Sequence, residues 1–267
     1  MDSIGISAPQ SILIGPREVQ IWGLWLTASD PVVEDFCSTL SLEERRRAER
    51  FRFENLKRSY TLSRGGLRIL LAHYLRCSPS AVELICGPKG KPELRDSSPL
   101  RFNTTHSGQM TVYAFTLGCE LGVDVERFRK LGDSESIAKR YFSPGEVSDL
   151  RTLKADDKEM AFFRCWTRKE AYVKAIGEGL SVPLNRFQVT LLPGDPARFV
   201  QIASEMGTAS DWSLHHLELA PGYVGALAYR DSPRPMVTYQ AIPADQLKKV
   251  LEARSASRHT GDNSARI

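Results

Sequence analysis

The stretch Leu121-Gly122-Val123-Asp124-Val125-Glu126 constrains this chain more than any other. Apolar residues alternate with Gly122, Asp124 and Glu126 at the period of two that a β-strand requires. That period turns both carboxylates to one face, roughly 6.5 Å apart along the strand. Further on, Trp166-Thr167-Arg168-Lys169-Glu170-Ala171-Tyr172-Val173-Lys174 reads as a helix on which Glu170 and Lys174, four apart, share a face. The strongly apolar flanks make the first segment a central strand, and Trp166, one turn before Glu170, is placed to hold the helix against the sheet. Three carboxylates and an ammonium brought together form a site for a hard divalent cation and a polyphosphate. Oxygen ligands favour Mg²⁺ over zinc, and the sequence has no His/Cys cluster for a softer metal. The plainer alternatives are a solvated strand face for Asp124 and Glu126, and an ordinary Glu170–Lys174 pair within the helix. Lys169 points one position away from that face.

The 267 residues suffice for a substantial core, as one large domain or two closely packed smaller ones. A hydrophobic content of 42% and a charged content of 25% place the chain among ordinary globular proteins rather than disordered ones. The net charge of +4, with Lys and Arg spread along the chain, suits an anionic small molecule or an acidic protein partner and does not call for nucleic acid. Five scattered cysteines without a C-x-x-C spacing read as reduced thiols. Residues 1–15 lack the basic stretch and apolar core of a signal peptide, and no window approaches 18 uninterrupted apolar residues. The expectation is a cytoplasmic protein with no membrane contact.

Residues 19–27 alternate as a half-buried strand. Ser41 with Glu44 three residues on forms a capping box that opens a charged helix. A second helix lies within 57–76, with an apolar stripe of Leu62, Leu67, Leu70, Leu71 and Leu75. Val82–Ile85 is a short strand, and the Gly/Pro-rich residues 87–100 form a loop with at most a brief extended piece. Met110–Leu117 and Leu121–Glu126 flank Gly118-Cys119-Glu120 and predict a hairpin. Helices follow at about 133–141, 144–153 and 156–177, then strands at Phe187–Leu192, Trp212–Leu219 and Val224–Tyr229. A weak helix, DQLKKVLEAR, precedes a polar tail expected to be disordered. Strand, helices and strand thus occur once before residue 118 and again after it. The predicted fold is α+β, with an N-terminal half at 1–118, a C-terminal half at 119–243 and a tail at 244–267.

Three further segments can meet an anion. Gly87-Pro88-Lys89-Gly90-Lys91-Pro92 is no Walker A loop, because Pro92 stands where Ser or Thr is required. It either brings Lys89, Lys91 and backbone N–H groups to a phosphate or is a surface turn. His106, within Phe102–Gly108, is structural or binds phosphate together with the Thr105 hydroxyl. No G-x-S-x-G motif supports a serine hydrolase. The arginines of Arg45–Arg50 form a solvated face or supply a phosphate contact.

Taken together these segments resemble the 4′-phosphopantetheinyl transferase superfamily, in particular its larger surfactin-synthetase-activating type. The matching pieces are GKP at 90–92, FNTTHSG at 102–108, GVDVE at 122–126, AKRYFSPGEVSDL at 138–150 and FFRCWTRKEAYVKAIGEGL at 162–180. The resemblance spans roughly residues 20–230 and implies a pseudo-dimer of two similar α+β halves with the active site at their interface. It implies that Asp124, Glu126 and Glu170 hold Mg²⁺ against the pyrophosphate of coenzyme A, the co-substrate. Lys174 would contact the pyrophosphate, and Thr105 and His106 a phosphate. Cys86, Gly87, Pro88, Lys89, Gly90 and Lys91 would lie along the adenosine 3′-phosphate and adenine, with Arg47 reaching in from the basic helix. Thr105 departs from the family's usual Ser but keeps the hydroxyl. Glu126 occupies a position that is not acidic in some relatives, so its presence predicts a three-carboxylate Mg²⁺ site supplied entirely by protein.

The implied reaction moves 4′-phosphopantetheine from coenzyme A to a serine of an apo acyl or peptidyl carrier protein and releases 3′,5′-ADP. Glu170 would act as the base, directly or through water, and a monomer is expected. The rival readings are another Mg²⁺-dependent enzyme acting on a nucleotide diphosphate, and a non-catalytic protein that binds anions or nucleic acid.

Overall fold

Two sheets lie side by side in the computed structural model, each backed by a helix of 22 residues. The structure describes residues 14–87, 89–179, 182–203 and 208–253. In chain order, β1 (Val19–Trp25) leads to α1 (Asp30–Ser38), α2 (Leu42–Glu49) and α3 (Glu54–Leu75). The short strands β2 (Leu84–Cys86) and β3 (Pro92–Leu94) precede β4 (Leu100–Ser107), β5 (Met110–Leu117) and β6 (Leu121–Arg127). Then come α4 (Ser134–Tyr141), α5 (Pro144–Thr152) and α6 (Ala155–Ile176). The chain continues through β7 (Phe187–Val189), β8 (Phe199–Ile202), β9 (Ser213–Leu217), β10 (Tyr223–Tyr229) and β11 (Met236–Pro243).

The first sheet has the order β11-β1-β5-β4 and the second β6-β10-β9. Leu62, Leu67, Leu70 and Leu71 of α3 are buried with Trp22, Leu24, Phe102 and Phe115 in one core. Ala171, Tyr172 and Val173 of α6 share a second core with Phe187, Val224 and Ala226. Fold class is therefore α+β, as expected. The five cysteines are free. Among the described residues no helix is long and apolar enough to cross a membrane.

Local signals end the elements where the sequence places them. Ser41 caps α2 in a complete capping box, its backbone N–H donating to Glu44 Oε2 at 2.8 Å. The last turn of α6 closes on Gly177, whose φ of 75° is the left-handed conformation such a cap requires.

Two expectations need correction. Met110–Leu117 and Leu121–Arg127 are strands but not a hairpin: β5 is paired on both edges, by β1 and β4, so β6 has no edge of it to join. The hairpin is instead β4–β5, turning at Gly108, whose φ is 57°, and Gln109. Residues 236–243, placed in the C-terminal half by sequence, form β11, which pairs parallel with β1 in the first sheet. Ala244, Leu247 and Leu251 follow it into the core around α3, so the chain from 244 to 253 is helical, as expected for DQLKKVLEAR, and docked there. Residues 254–267 lie outside the described residues. Trp166 stacks its ring on Phe162 and meets Tyr141 edge to face.

What seats α6 on the sheet is the absence of a side chain. A Cβ at Gly122 would fall 2.1 Å from the Ala171 carbonyl oxygen and 2.3 Å from the Ala175 nitrogen. Only glycine lets the helix backbone lie that close to β6.

The two sheets meet where β4 runs beside β6, joined by side chains instead of a backbone ladder. Asn103 Oδ1 accepts from Val123 N–H at 3.0 Å, and Ser107 Oγ accepts from Arg127 N–H at 3.0 Å. Thr105 Oγ1 donates to Asp124 Oδ1 at 3.1 Å, and Ser107 Oγ to Glu126 Oε2 at 2.9 Å. Every second residue of the polar segment 103–107 thus holds the facing strand, following the strand period.

Candidate active site

The seam between β4 and β6, covered by the end of α6, gathers the charged residues. Asp124 is buried at 5% exposure. Its Oδ1 accepts from Lys174 Nζ at 2.6 Å, and Lys174 Nζ also lies 3.0 Å from Thr105 Oγ1. Lys174 therefore reaches across to the strand instead of forming the ordinary pair with Glu170. Asp124 Oδ2 is buried with no hydrogen-bond partner. A buried, half-satisfied carboxylate is costly to keep ionised. Burial accordingly raises the Asp124 carboxyl above its usual range, and Glu126 adds to this against the pull of Lys174 and Thr105. Burial also raises the Glu170 carboxyl, reinforced by the charges of Asp124 and Glu126 and opposed by Lys174. The three acids are near enough to oppose one another's ionisation.

Two of them have separate partners. Glu126 Oε2 is held by Ser107 and by Arg129 at 3.2 Å, and Asp124 Oδ1 by Lys174. Among the described residues no three His, Cys, Asp or Glu side chains stand in ligand geometry about a single centre. The residues nevertheless fit a hard cation. The unpartnered Asp124 Oδ2 and the Glu170 carboxyl are oxygen donors, the kind Mg²⁺ takes.

Thr105 also belongs to the wall of a cleft of about 580 Å³, on whose lining Arg47, Cys86, Gly90 and His106 converge from four separate segments. Sequence reasoning missed three residues that share this cleft: Tyr60, Ser63 and Arg64 of α3. With Leu67 they recur at helical spacing, a mixed face beside the leucine stripe, and that periodicity was the available signal. The face is fixed from behind, because Glu44 accepts from Arg64 Nε and Arg68 Nε at 2.5 Å each. Burial works against the Glu44 charge, yet the Arg64 charge and the bonds from Ser41, Arg68 and Arg64 hold its carboxyl below the usual range. Arg47 sits with its guanidinium 5.5 Å from the Tyr60 ring centre.

The loop at 87–92 bonds within itself. The Gly87 N–H donates to the Lys91 carbonyl and the Gly90 N–H to the Gly87 carbonyl, both at 2.8 Å, so neither is free to cradle an anion. Lys91 Nζ donates to Glu120 Oε2 at 2.9 Å, to the Leu121 carbonyl at 3.3 Å and to the Ala175 carbonyl at 3.5 Å. Lys91 thus latches the loop to the start of β6 and the end of α6. Lys89 is exposed, lying over the turn at Gly179. Pro88 lies outside the described residues. Lys169 is fully buried, paired with Glu146 at 2.8 Å and donating to the Leu184 and Phe187 carbonyls, so it serves the core and not the site. Beyond Glu126 a small cleft of about 110 Å³ is walled by Arg129, Leu131, Phe163 and Trp166.

Two family profiles match the chain: one described as the 4′-phosphopantetheinyl transferase superfamily over residues 120–228, and one described as the N-terminal region of 4′-phosphopantetheinyl transferase over residues 25–117. The 4′-phosphopantetheinyl transferase HetI of Nostoc sp. is 38% identical over 216 residues, covering 80% of this chain and 87% of that protein. A putative 4′-phosphopantetheinyl transferase of Synechocystis sp. is 35% identical over 195 residues, 72% of this chain and 77% of its own. The 4′-phosphopantetheinyl transferase Sfp of Bacillus subtilis is 29% identical over 231 residues, 84% of this chain and all of that protein.

Proposed function

The chain belongs to the 4′-phosphopantetheinyl transferase superfamily, and we propose that it transfers 4′-phosphopantetheine from coenzyme A to a serine of an apo acyl or peptidyl carrier protein, releasing 3′,5′-ADP. The observation that carries this reading is the double position of Thr105. It lines the cleft that holds Arg47, Cys86, Gly90 and His106, and it bonds both Asp124 and Lys174. A nucleotide seated in that cleft would bring its pyrophosphate to the acidic seam.

Arg47 and His106 would hold phosphates of coenzyme A, with Lys89, exposed in the loop, a further cation. Asp124, Glu126 and Glu170 would hold Mg²⁺, which when bound supplies charge neutralisation to the phosphate oxygens. Lys174, at 28% side-chain exposure and already beside Asp124, would contribute positive charge at the leaving side. The serine oxygen forms a bond to the β-phosphorus while the bond from that phosphorus to the departing 3′,5′-ADP breaks. The serine proton passes to the Glu170 carboxylate, directly or through a water. Phosphoryl transfer needs little covalent chemistry from the protein, so the rigid seating of α6 on Gly122 supplies much of what is required: fixed positions for charge. The carrier would approach past Glu126, where Arg129 and the small apolar cleft lie together. A monomer in the cytoplasm completes the proposal.

The test is to incubate the protein with coenzyme A, Mg²⁺ and apo carrier proteins and weigh the carriers by mass spectrometry. A gain of one phosphopantetheine group is expected. No gain on any of several carriers, together with no heat of coenzyme A binding, would overturn the assignment.

A further inference from the structure

Glu44 belongs to the capping box of α2, which asks of it only that it accept from the Ser41 N–H. The structure gives it two further bonds. The residue is buried at 7% exposure, and its carboxylate stands between two arginines of α3: Arg64 Nε donates to Oε1 and Arg68 Nε to Oε2, each at 2.5 Å. One carboxylate balances one guanidinium, so the trio keeps a net positive charge.

The two arginines are held differently. Arg68 is buried, and its Nη1 donates to the Pro79 and Val82 carbonyls at 2.8 and 3.0 Å, so it ties α3 to the segment that follows. Arg64 keeps 20% of its side chain exposed, lines the cleft of about 580 Å³ and uses only its Nε. Its two terminal nitrogens bond nothing among the described residues. The bond to Glu44 fixes the guanidinium and leaves the outer pair of N–H groups, a fork that fits two oxygens of a phosphate.

The charge of the cleft points the same way. Tyr60 lies one turn before Arg64 on α3, and the Arg47 guanidinium is 5.5 Å from its ring centre, so both arginines flank one stretch of wall. Among the described residues no aspartate or glutamate lines this cleft. Two guanidiniums without a facing acid suit a dianion. A phosphomonoester carries about −1.5 to −2 charge and three acceptor oxygens, more charge than either unit of an esterified pyrophosphate. The pyrophosphate has partners of its own in Lys174 and the acids of the seam, and the one phosphomonoester of coenzyme A is its ribose 3′-phosphate.

We propose that Arg64 is the residue by which the cleft selects a 3′-phosphorylated nucleotide, and that Glu44 is the positioning residue that aims it. The inference rests on the coenzyme A reading above. Were the pair only a fold element, Arg68 and Ser41 would already satisfy Glu44, and a second half-buried cation would add charge with nothing to meet it.

The experiment titrates the full chain, with Mg²⁺ present, with coenzyme A and with 3′-dephospho-coenzyme A by calorimetry. Wild type should favour coenzyme A by about tenfold to a hundredfold, the worth of charge-assisted hydrogen bonds. Arg64→Gln is the decisive variant, because Glu44 keeps Ser41 and Arg68. It should lose about tenfold in affinity for coenzyme A and less than about twofold for the dephospho form, whereas Arg64→Lys, which keeps the charge without the fork, should lose about threefold for coenzyme A. Glu44→Asp keeps the carboxylate but is a methylene shorter, so it loosens the aim without changing the charge and should cut the preference about threefold. A pair that serves the fold alone would weaken both ligands equally and lower the melting temperature. That result overturns the inference, as does an undiminished preference in Arg64→Gln or Glu44→Asp. Wild type that binds neither ligand would take down the transferase reading as well, whereas wild type that binds and transfers while Arg64→Gln discriminates as before refutes this inference alone.

Discussion

Gly122→Ala tests how the active site is held together. The added methyl would meet three backbone atoms, the Ala171 oxygen at 2.1 Å, the Ala175 nitrogen at 2.3 Å and the Lys174 carbonyl carbon at 2.8 Å. Backbone cannot rotate aside as a side chain can. Restoring an ordinary contact of about 3.4 Å from 2.1 Å requires α6 to retreat from β6 by roughly 1.3 Å at that point. Overpacking of this kind costs about 1–3 kcal/mol, and the backbone contacts place this case at the upper end. For a chain of this size that lowers the melting temperature by about 6–12 °C. The same retreat moves Glu170 and Lys174 off Asp124, and a misplacement of about 1 Å costs roughly 10²-fold in rate. Circular-dichroism melts and the initial rate of carrier mass gain at saturating coenzyme A measure the two effects. Gly118→Ala is the control: its Cβ meets nothing within 4 Å although its φ is 71°, so it should lose about 1 kcal/mol and keep its rate. A Gly122→Ala protein that melts within 2 °C of wild type and turns over within threefold would refute the close-seating argument.

Lys91→Ala should reduce transfer equally with coenzyme A and with 3′-dephospho-coenzyme A, because Lys91 acts as a latch to Glu120 and α6. A defect confined to the 3′-phosphorylated substrate would restore the phosphate contact expected from sequence. Asp124→Asn should abolish transfer, and Mg²⁺ with coenzyme A should raise the melting temperature of wild type but not of the variant; equal stabilisation of both would place the metal elsewhere. Burial lowers the proton affinity of His215 and His216, with Arg168 and Arg164 adding to the effect at His216. The unfolded chain therefore binds more protons below its ordinary pKa of 6.5, and their contribution to stability, complete above 6.5, is lost as pH falls towards the folded values. Melts at pH 7.5 and 5.5 should differ less in a His215→Gln/His216→Gln protein than in wild type, and an unchanged difference would contradict this. Carrier affinity should fall as salt rises from 50 to 500 mM if an acidic carrier meets the basic surface, whereas a flat salt response would argue against it.

Local chemistry was legible where it depends on neighbours in sequence. Ser41 and Glu44 announce their capping box, the leucines of α3 announce its buried stripe, and the alternation at 121–126 places Asp124 and Glu126 on one face. The pairing of strands was not legible, because a run such as Met110–Leu117 carries no record of which edges are already taken. The same holds for side chains whose partners come from afar. Lys91 and Lys169 look like free cations in the sequence, yet one is spent on Glu120 and two carbonyls and the other on buried Glu146. The three acids of the site were readable as a group, while the partners that Glu126 and Asp124 take, Ser107, Arg129 and Lys174, were not. Tyr60, Ser63 and Arg64 were hidden for a simpler reason: they share a helix with a much louder apolar stripe.

The parallel pairing of β11 with β1 makes the first sheet discontinuous in sequence. A ribosome delivers β1, β5 and β4 early, but the strand that shields the outer edge of β1 emerges only after the whole second sheet has been made. Until then the backbone groups of Val19–Trp25 face solvent as an open edge, the kind of surface that recruits strands from other chains. The second half can be completed before the first. A chain cut after Tyr229 would keep the residues of the acidic seam and still lack the strand that closes the fold, so loss of the last 38 residues should read as aggregation before it reads as lost chemistry.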